Sequence, residues 1–532
     1  MRPAASLLLT ACSFSGAVGT VVGETESAST AASTGPDDAT TLPPTDALLD
    51  IGSELDLCQA FGGQEEFAGC KLVGLAPSFD PVVQWAWAGE GESTDSFVTP
   101  LVANLTDDDD NGVVDLCDIP DVVVLVAPPL HGGNLGNVPS DGKIFVLDGE
   151  TGTVHAQTDA VLVRGYTPAL GDVDRDGAVD IVAVADAGSD GTRRAGRIVI
   201  FGGDGSLRVE GESMFVRNAV GAIALADLEG DGPVEIIVDH EVMDTEGRRR
   251  FSIDDTQQLQ LPVAADLDED GMLEVVWGHE ARRADGSALY TVEGFDGGFP
   301  HIVDFDGNGR PEVLVTADRG LALVDIEGGI SGPHRPTFDG AQRVPETAWR
   351  RPAAIHDFYG DDRPEIAVSA GDVFMAIDWR ADGFHVEWQE DVAPGSEAAA
   401  TAFDFLADGS AEALYADREN LWMYDFGGRA VIQVPRTSVT AQELPIVADV
   451  DNDGAAEIVV VSNGGSPAVQ VWRDRSDGWV PARRIWNQHT YHVTNIEEDG
   501  TLPTREVPVY RRLDTFRTNV QIEGGVICKP EP

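Results

Sequence analysis

Short apolar runs alternate along the chain with tight clusters of Asp and Gly, and the helical period is nowhere evident. TPAL (167–170), AIALA (222–226), LPVAA (261–265) and PHIV (300–303) come before acidic clusters, and DIVAVA, EIIV, EVVW, EVLV and EIVVV come after them. Both sets read as buried β-strands. GKIFVLDGETG (142–152), GRIVIFGGDGS (196–206) and LALVDIEGG (321–329) add a strand, a Gly-rich turn and another strand to each unit.

The acidic clusters are one repeated motif, D-x-D-x-D-G-x-x-(D/E). Clean copies run Asp172, Asp174, Asp176, Gly177, Asp180; Asp266, Asp268, Asp270, Gly271, Glu274; and Asp449, Asp451, Asp453, Gly454, Glu457. Two differ little: Asp304, Asp306, Asn308, Glu312, and Asp227, Glu229, Asp231, Glu235. The first copy, Asp107, Asp109, Asn111, Gly112 and Asp115, lies in an acidic run. Two copies are eroded. One, from Asp357 through Tyr359, Asp361 and Asp362 to Glu365, lacks an oxygen at position 3 and the glycine; the other, Asp404, Leu406, Asp408, Gly409 and Glu412, lacks the position-3 oxygen. The first positions recur about every 49 residues, the length of one four-stranded propeller blade. A lone four-stranded sheet leaves its faces bare, so the units must pack on one another, and a closed ring removes the ends. The expected fold is therefore an all-β propeller with eight blades, or seven if a terminal unit is atypical. Strand 81–87 would complete the last blade beside 468–474.

Alternate residues of such a loop can point carboxylates inward at positions 1, 3 and 5. The carbonyl at 7 and the acid at 9 complete an oxygen shell suited to Ca2+. Glycine at position 6 supplies the positive φ of the turn. Of the 32 side-chain positions, 28 are acidic, a repulsive arrangement without cations. About five to eight Ca2+ sites are expected, with the eroded loops weak or silent; the bland alternative is Asp/Gly turn chemistry alone. These loops resemble those of FG-GAP or VCBS repeats, the integrin-α-type propellers, over roughly residues 97–475. The resemblance implies a calcium-stabilised propeller in adhesion, surface recognition or carbohydrate-associated proteins. Clear FG and GAP flanks are missing, so integrin ligand specificity does not carry over.

Charge narrows the partners. Against 35 Lys and Arg stand 92 Asp and Glu, a formal net charge of -57, which argues against nucleic acid and anionic membrane surfaces. With 42% hydrophobic residues the chain still has material for a core. Residues 1–12 resemble a lipoprotein signal ending in a lipobox, which makes Cys12 the lipidation site. A Ser/Thr/Ala/Gly tether (13–46), a Cys-containing segment (47–80), the propeller (81–475) and a closing segment (476–532) follow. Membrane contact is expected only through the lipid anchor, on a monomeric chain that is outer-membrane-anchored or secreted. Cys58, Cys70, Cys117 and Cys528 permit three pairings; a local Cys58 to Cys70 bridge would leave Cys117 to join Cys528.

The segment ARRIWNQHTYHVTNIEEDGTLP (482–503) either plugs one end of the ring or lines a binding surface with Trp486, His489, Tyr491 and His492. The leading functional expectation is noncatalytic recognition of a protein or glycan. A lyase-like or quinoprotein-like enzyme is an alternative, since GKIFVLDGETG resembles the units of PQQ-type propellers; a lectin using Trp349, Trp379, Trp388 or Trp422 is another. No local catalytic motif is present in the sequence.

Overall fold

The structure, a computed structural model, describes residues 68–529 apart from 75–78, 131–139, 190–193, 217–219, 254–258, 339, 342–343, 441–442, 466 and 524–525. The expected signal with Cys12, the tether, and Cys58 lie outside the described residues. Among these residues the chain is all-β except for a 3-10 turn at Val509–Arg511, and no helix is long and apolar enough to cross a membrane.

Every acidic loop joins the first and second strands of an antiparallel meander. In the fifth unit Gly298–Val303, Glu312–Ala317, Gly320–Val324 and Ile330–His334 pair in that order. The fourth, sixth and seventh units form like sheets; the third gains a parallel partner, Tyr166–Thr167, and the first two are bridged through Leu162–Val163 into a larger sheet. In the eighth unit Ile446–Ala448, Glu457–Val461 and Val469–Asp474 are joined by Pro81–Trp87. That N-terminal pairing is the one expected from the sequence.

Burial falls across each meander. First strands such as Gly221–Ala226 and Gly298–Val303 are buried throughout, whereas the fourth strands Arg249–Ser252 and Ile330–His334 are mostly exposed. This gradient explains why the first strands are continuous apolar runs while the outer ones carry charge. Neighbouring sheets share cores: one cluster joins Ile302, Val313, Ile355 and Ile366 from two units. Another joins Val123 and Ile181 of the first two units to Val459 of the eighth, with Trp85 among them. The Trp85 indole donates to the Gly149 carbonyl at 2.6 Å.

The closing segment is buried. Trp486 exchanges backbone bonds with Val102 at 2.9 and 3.0 Å, and the Leu170 amide donates to the Asn487 carbonyl at 2.8 Å. Gln488 Oε1 accepts the Leu225 amide, the Tyr510 hydroxyl donates to the Asp266 carbonyl, and Asp514 accepts the Asp304 amide. Phe516 exchanges backbone bonds with Ile355, Arg517 O accepts the Thr401 hydroxyl, and Asn519 Nδ2 donates to the Val447 carbonyl. One stretch of about 40 residues thus reaches the first strand of every unit, or the first residue of its loop. Trp486, His489, Tyr491 and His492 are at most 3% exposed, so the packing role expected of them holds and the binding-surface alternative does not. Trp349 and Trp388 are likewise buried, and Trp379 and Trp422 pack against the core clusters.

The cysteine pairing differs from expectation. Cys70 bonds Cys528, with Cα atoms 5.0 Å apart, and Cys117 is disulfide-bonded elsewhere. Cys70 follows Ala68–Gly69, which pairs parallel with Val526–Lys529 in the register Ala68 to Cys528. That pairing brings the two sulfurs together and excludes the local Cys58 to Cys70 bridge.

Candidate metal centres in the hairpin loops

The eight loops share one backbone design. Positions 4 and 6 both have positive φ, as at Arg175 (60°) and Gly177 (89°), Glu269 (63°) and Gly271 (87°), and Asn452 (58°) and Gly454 (86°). The loop without the position-6 glycine keeps the geometry, with Asp362 at 62°. The position-1 carboxylate caps the turn. Asp172 accepts the Asp176 and Gly177 amides at 3.0 Å each; Asp304 accepts the Asn308 amide at 3.1 Å and Gly309 at 2.7 Å. The closing acid begins the second strand and accepts the position-2 amide, Leu267 to Glu274 at 2.9 Å and Val450 to Glu457 at 3.0 Å.

Turn capping alone accounts for these bonds, but not for the oxygens left over. Asp449 and Glu457 are 2% and 0% exposed, yet Asp449 Oδ1 and Glu457 Oε1 have no hydrogen-bond partner. Asp266 Oδ1, Asp268 Oδ1 and Glu274 Oε1 in the fourth loop are the same. Burial and then like charge push Asp449 and Glu457 well above the carboxylate range. Burial first, then neighbouring acids, lifts Asp180, Glu274 and Glu312 to about 7. A buried carboxylate oxygen without a donor is a place that a proton or a cation can fill. Ligand atoms of Asp172, Asp174 and Asp180, and of Asp266, Asp268 and Glu274, lie within 4.8 Å of one another. The fourth and eighth loops therefore fit a hard, oxygen-seeking dication.

The first loop is built differently. Its grouped carboxylates are Asp107, Asp109 and Asp118, whereas Asp115 accepts the Cys117 amide at 2.7 Å. Asp118, 1% exposed, accepts the Asp108 and Asp115 amides at 2.8 Å each. The position-2 contact of the other loops is made here by Leu105 to Asp121, at 3.0 Å. The 107–118 stretch is thus an insertion between Asn104 and Asp121, with its acid at the twelfth position. Sequence reasoning missed both acids because the insertion breaks the nine-residue spacing; the cue was Asp121 heading the apolar run DVVVLVA. His155 lies against Asp121, Nδ1 to Oδ1 at 3.0 Å, and 3.7 Å from Asp108. The Asp121 hydrogen bond raises its pKa against the pull of burial.

Arginines pair with acids of the second, third and fourth loops. Arg208 reaches Asp180 at 2.8 Å and Asp176 at 3.4 Å, and Arg283 reaches Asp268 at 2.7 Å. Arg250 pairs with both Glu229 and Glu235, and Arg175 with Asp227 at 3.1 Å. In the eroded loops Glu365 keeps a buried, unpartnered oxygen and burial lifts it to about 9, while Asp404 rises to about 6 by the same cause.

Repeated four-stranded meanders, packed on one another with buried first strands, define an all-β, propeller-like protein. The chain matches no protein-family model and no curated protein sequence, so the FG-GAP/VCBS resemblance rests on the loop motif alone. Among solved structures it is similar to the biofilm matrix protein Bap1 of V. cholerae, at 19% identity and TM-score 0.66, covering 86% of this chain and 100% of that one. It also aligns with rhamnogalacturonan lyase YesW and with a Bacillus licheniformis rhamnogalacturonan lyase. Each of these gives 16% identity and TM-score 0.48 over 85% of this chain and 83% of that one. The first likeness establishes the fold alone.

Proposed function

We propose that the protein is a noncatalytic, calcium-braced recognition module of the cell exterior, a closed ring of eight blades that binds surface protein or glycan. The observation that carries this reading is the course of residues 480–521. Consecutive residues Trp486, Asn487 and Gln488 reach the first strands of three different units, which supports first strands gathered around this segment; in that position it would fill the axle where blades could otherwise converge on a substrate. Support for closure comes from Pro81–Trp87 pairing with Val469–Asp474 and from the core shared by the first and eighth units. The disulfide Cys70 to Cys528 suits an oxidising, exported setting, and the fold likeness to a biofilm matrix protein agrees with it. Calcium is assigned from the buried, unpartnered oxygens of the fourth and eighth loops. When bound, the ion neutralises these carboxylates and fixes the hairpin between first and second strands. Asp449 and Glu457 offer an oxygen each, and Asp451 and Asp453 stand at positions 3 and 5 to complete the set.

The test is retention of full-length protein on extracellular polysaccharide and on whole cells, with Ca2+ and after chelation, alongside an assay for newly formed unsaturated sugar ends. Calcium-dependent retention without product supports the reading. Product formation by the purified chain overturns it in favour of a lyase.

A further inference from the structure

Among the eight loops the third, Asp227 to Glu235, has three of its four carboxylates, Asp227, Glu229 and Glu235, paired with arginines. Arg250, the second residue of Arg249–Ser252, turns its guanidinium into the loop. Its Nη1 donates to Glu229 Oε2 at 2.8 Å, and it also pairs with Glu229 Oε1 and Glu235 Oε1. From the neighbouring loop, Arg175 donates to Asp227 Oδ2 at 3.1 Å and to the Gly232 carbonyl. Asp227 and Glu235 are each 2% exposed. In the eighth loop the corresponding acids, Asp449 and Glu457, keep oxygens with no partner. The sequence carries the difference: position 3 is the longer Glu229, whose two carboxylate oxygens both meet Arg250.

We infer that the third loop is closed by Arg250 and Arg175 in place of a metal ion, so that this blade holds its shape when calcium is withdrawn. The inference rests on the calcium reading of the other loops. Two guanidinium groups supply two positive charges to three carboxylates through directional, paired hydrogen bonds. They are part of the chain, so no ion has to be captured from solution. A dication entering here would have to expel Arg250 and leave its charge unpaired beside the fourth strand, which is costly for a partly buried group. The fourth loop is not closed in this way: Arg283 is fixed at position 3, and Asp266 Oδ1 and Glu274 Oε1 stay unpartnered. Loss of calcium should therefore loosen the ring unevenly, with the Glu235–Val238 strand outlasting Glu457–Val461.

The experiment measures bound calcium per chain, by elemental analysis after dialysis into millimolar Ca2+, for the full-length protein and for Glu229→Gln, Arg250→Gln and Asp451→Asn. Hydrogen exchange with and without chelator accompanies it. Asp451→Asn should lose one ion, Glu229→Gln none, and Arg250→Gln should gain one. Chelation should strip protection from residues 457–461 and spare 235–238. If Glu229→Gln and Asp451→Asn each lose one ion, the arginine closure is wrong and the calcium reading survives. Should neither the parent nor any variant hold calcium, both fall. If Arg250→Gln does not fold, Glu229→Gln and the exchange pattern of the unaltered chain decide: equal loss of protection in both strands overturns the inference.

Discussion

Replacing Cys70 and Cys528 with serine tests how the chain ends are held. The bridge spans 458 residues, and the loop-closure relation gives about 20 cal/mol/K, or roughly 6 kcal/mol at 25 °C, for a crosslink of that length. Residual structure in the unfolded chain takes up part of this, and the expected loss is about 3–5 kcal/mol. The loss should concentrate at the closing segment, because Cys528 ties its end to Ala68–Gly69. Urea unfolding followed by tryptophan fluorescence measures it, since Trp486 sits at the buried start of that segment. The double variant should unfold at a clearly lower midpoint with a similar slope. A change under about 1 kcal/mol would refute the reasoning: the hydrogen bonds from residues 480–521 to the first strands would then hold the end without a covalent tie.

Trp486→Ala removes a fully buried ring stacked on Tyr491 at 4.5 Å and should cost about 3–5 kcal/mol, read by the same unfolding curves. Burial lowers the His492 pKa, but the charge and hydrogen bond of Glu506, 2.7 Å from Nε2, outweigh it and leave the value above 6.5. A folded value above the unfolded one gives stability that is complete below about 6.5 and is lost as pH rises through the folded value. The stability difference between the parent and His492→Gln should accordingly shrink with rising pH over that window, and a difference flat across it would contradict the pairing.

Much of the fold was legible because each blade repeats one local pattern: an apolar first strand, a turn needing positive φ, and a β-branched second strand headed by an acid. Even the pairing of Pro81–Trp87 with Val469–Asp474 could be read, since a last blade without a fourth strand must borrow one. The closing segment was legible only as a packing element. Its course is set by backbone and amide contacts, such as Asn519 to the Val447 carbonyl, and these leave no periodicity in the sequence. The disulfide was misjudged because proximity in sequence was weighed against a parallel strand pair that only the folded chain reveals. In the loops the spacing of the acids could be read except where an insertion displaced it, at Asp118 and Asp121. The arginines come from outside the motif, so the arginine-paired third loop looked like its neighbours.

Crystals of the full-length protein grown in millimolar Ca2+ and measured for anomalous scattering test the central claim most directly. The account predicts strong peaks among the carboxylates of the fourth and eighth loops, with Asp449 and Glu457 oxygens in contact, and none between Glu229 and Glu235. Water alone at Asp449 and Glu457, with calcium present in the crystal, would contradict it.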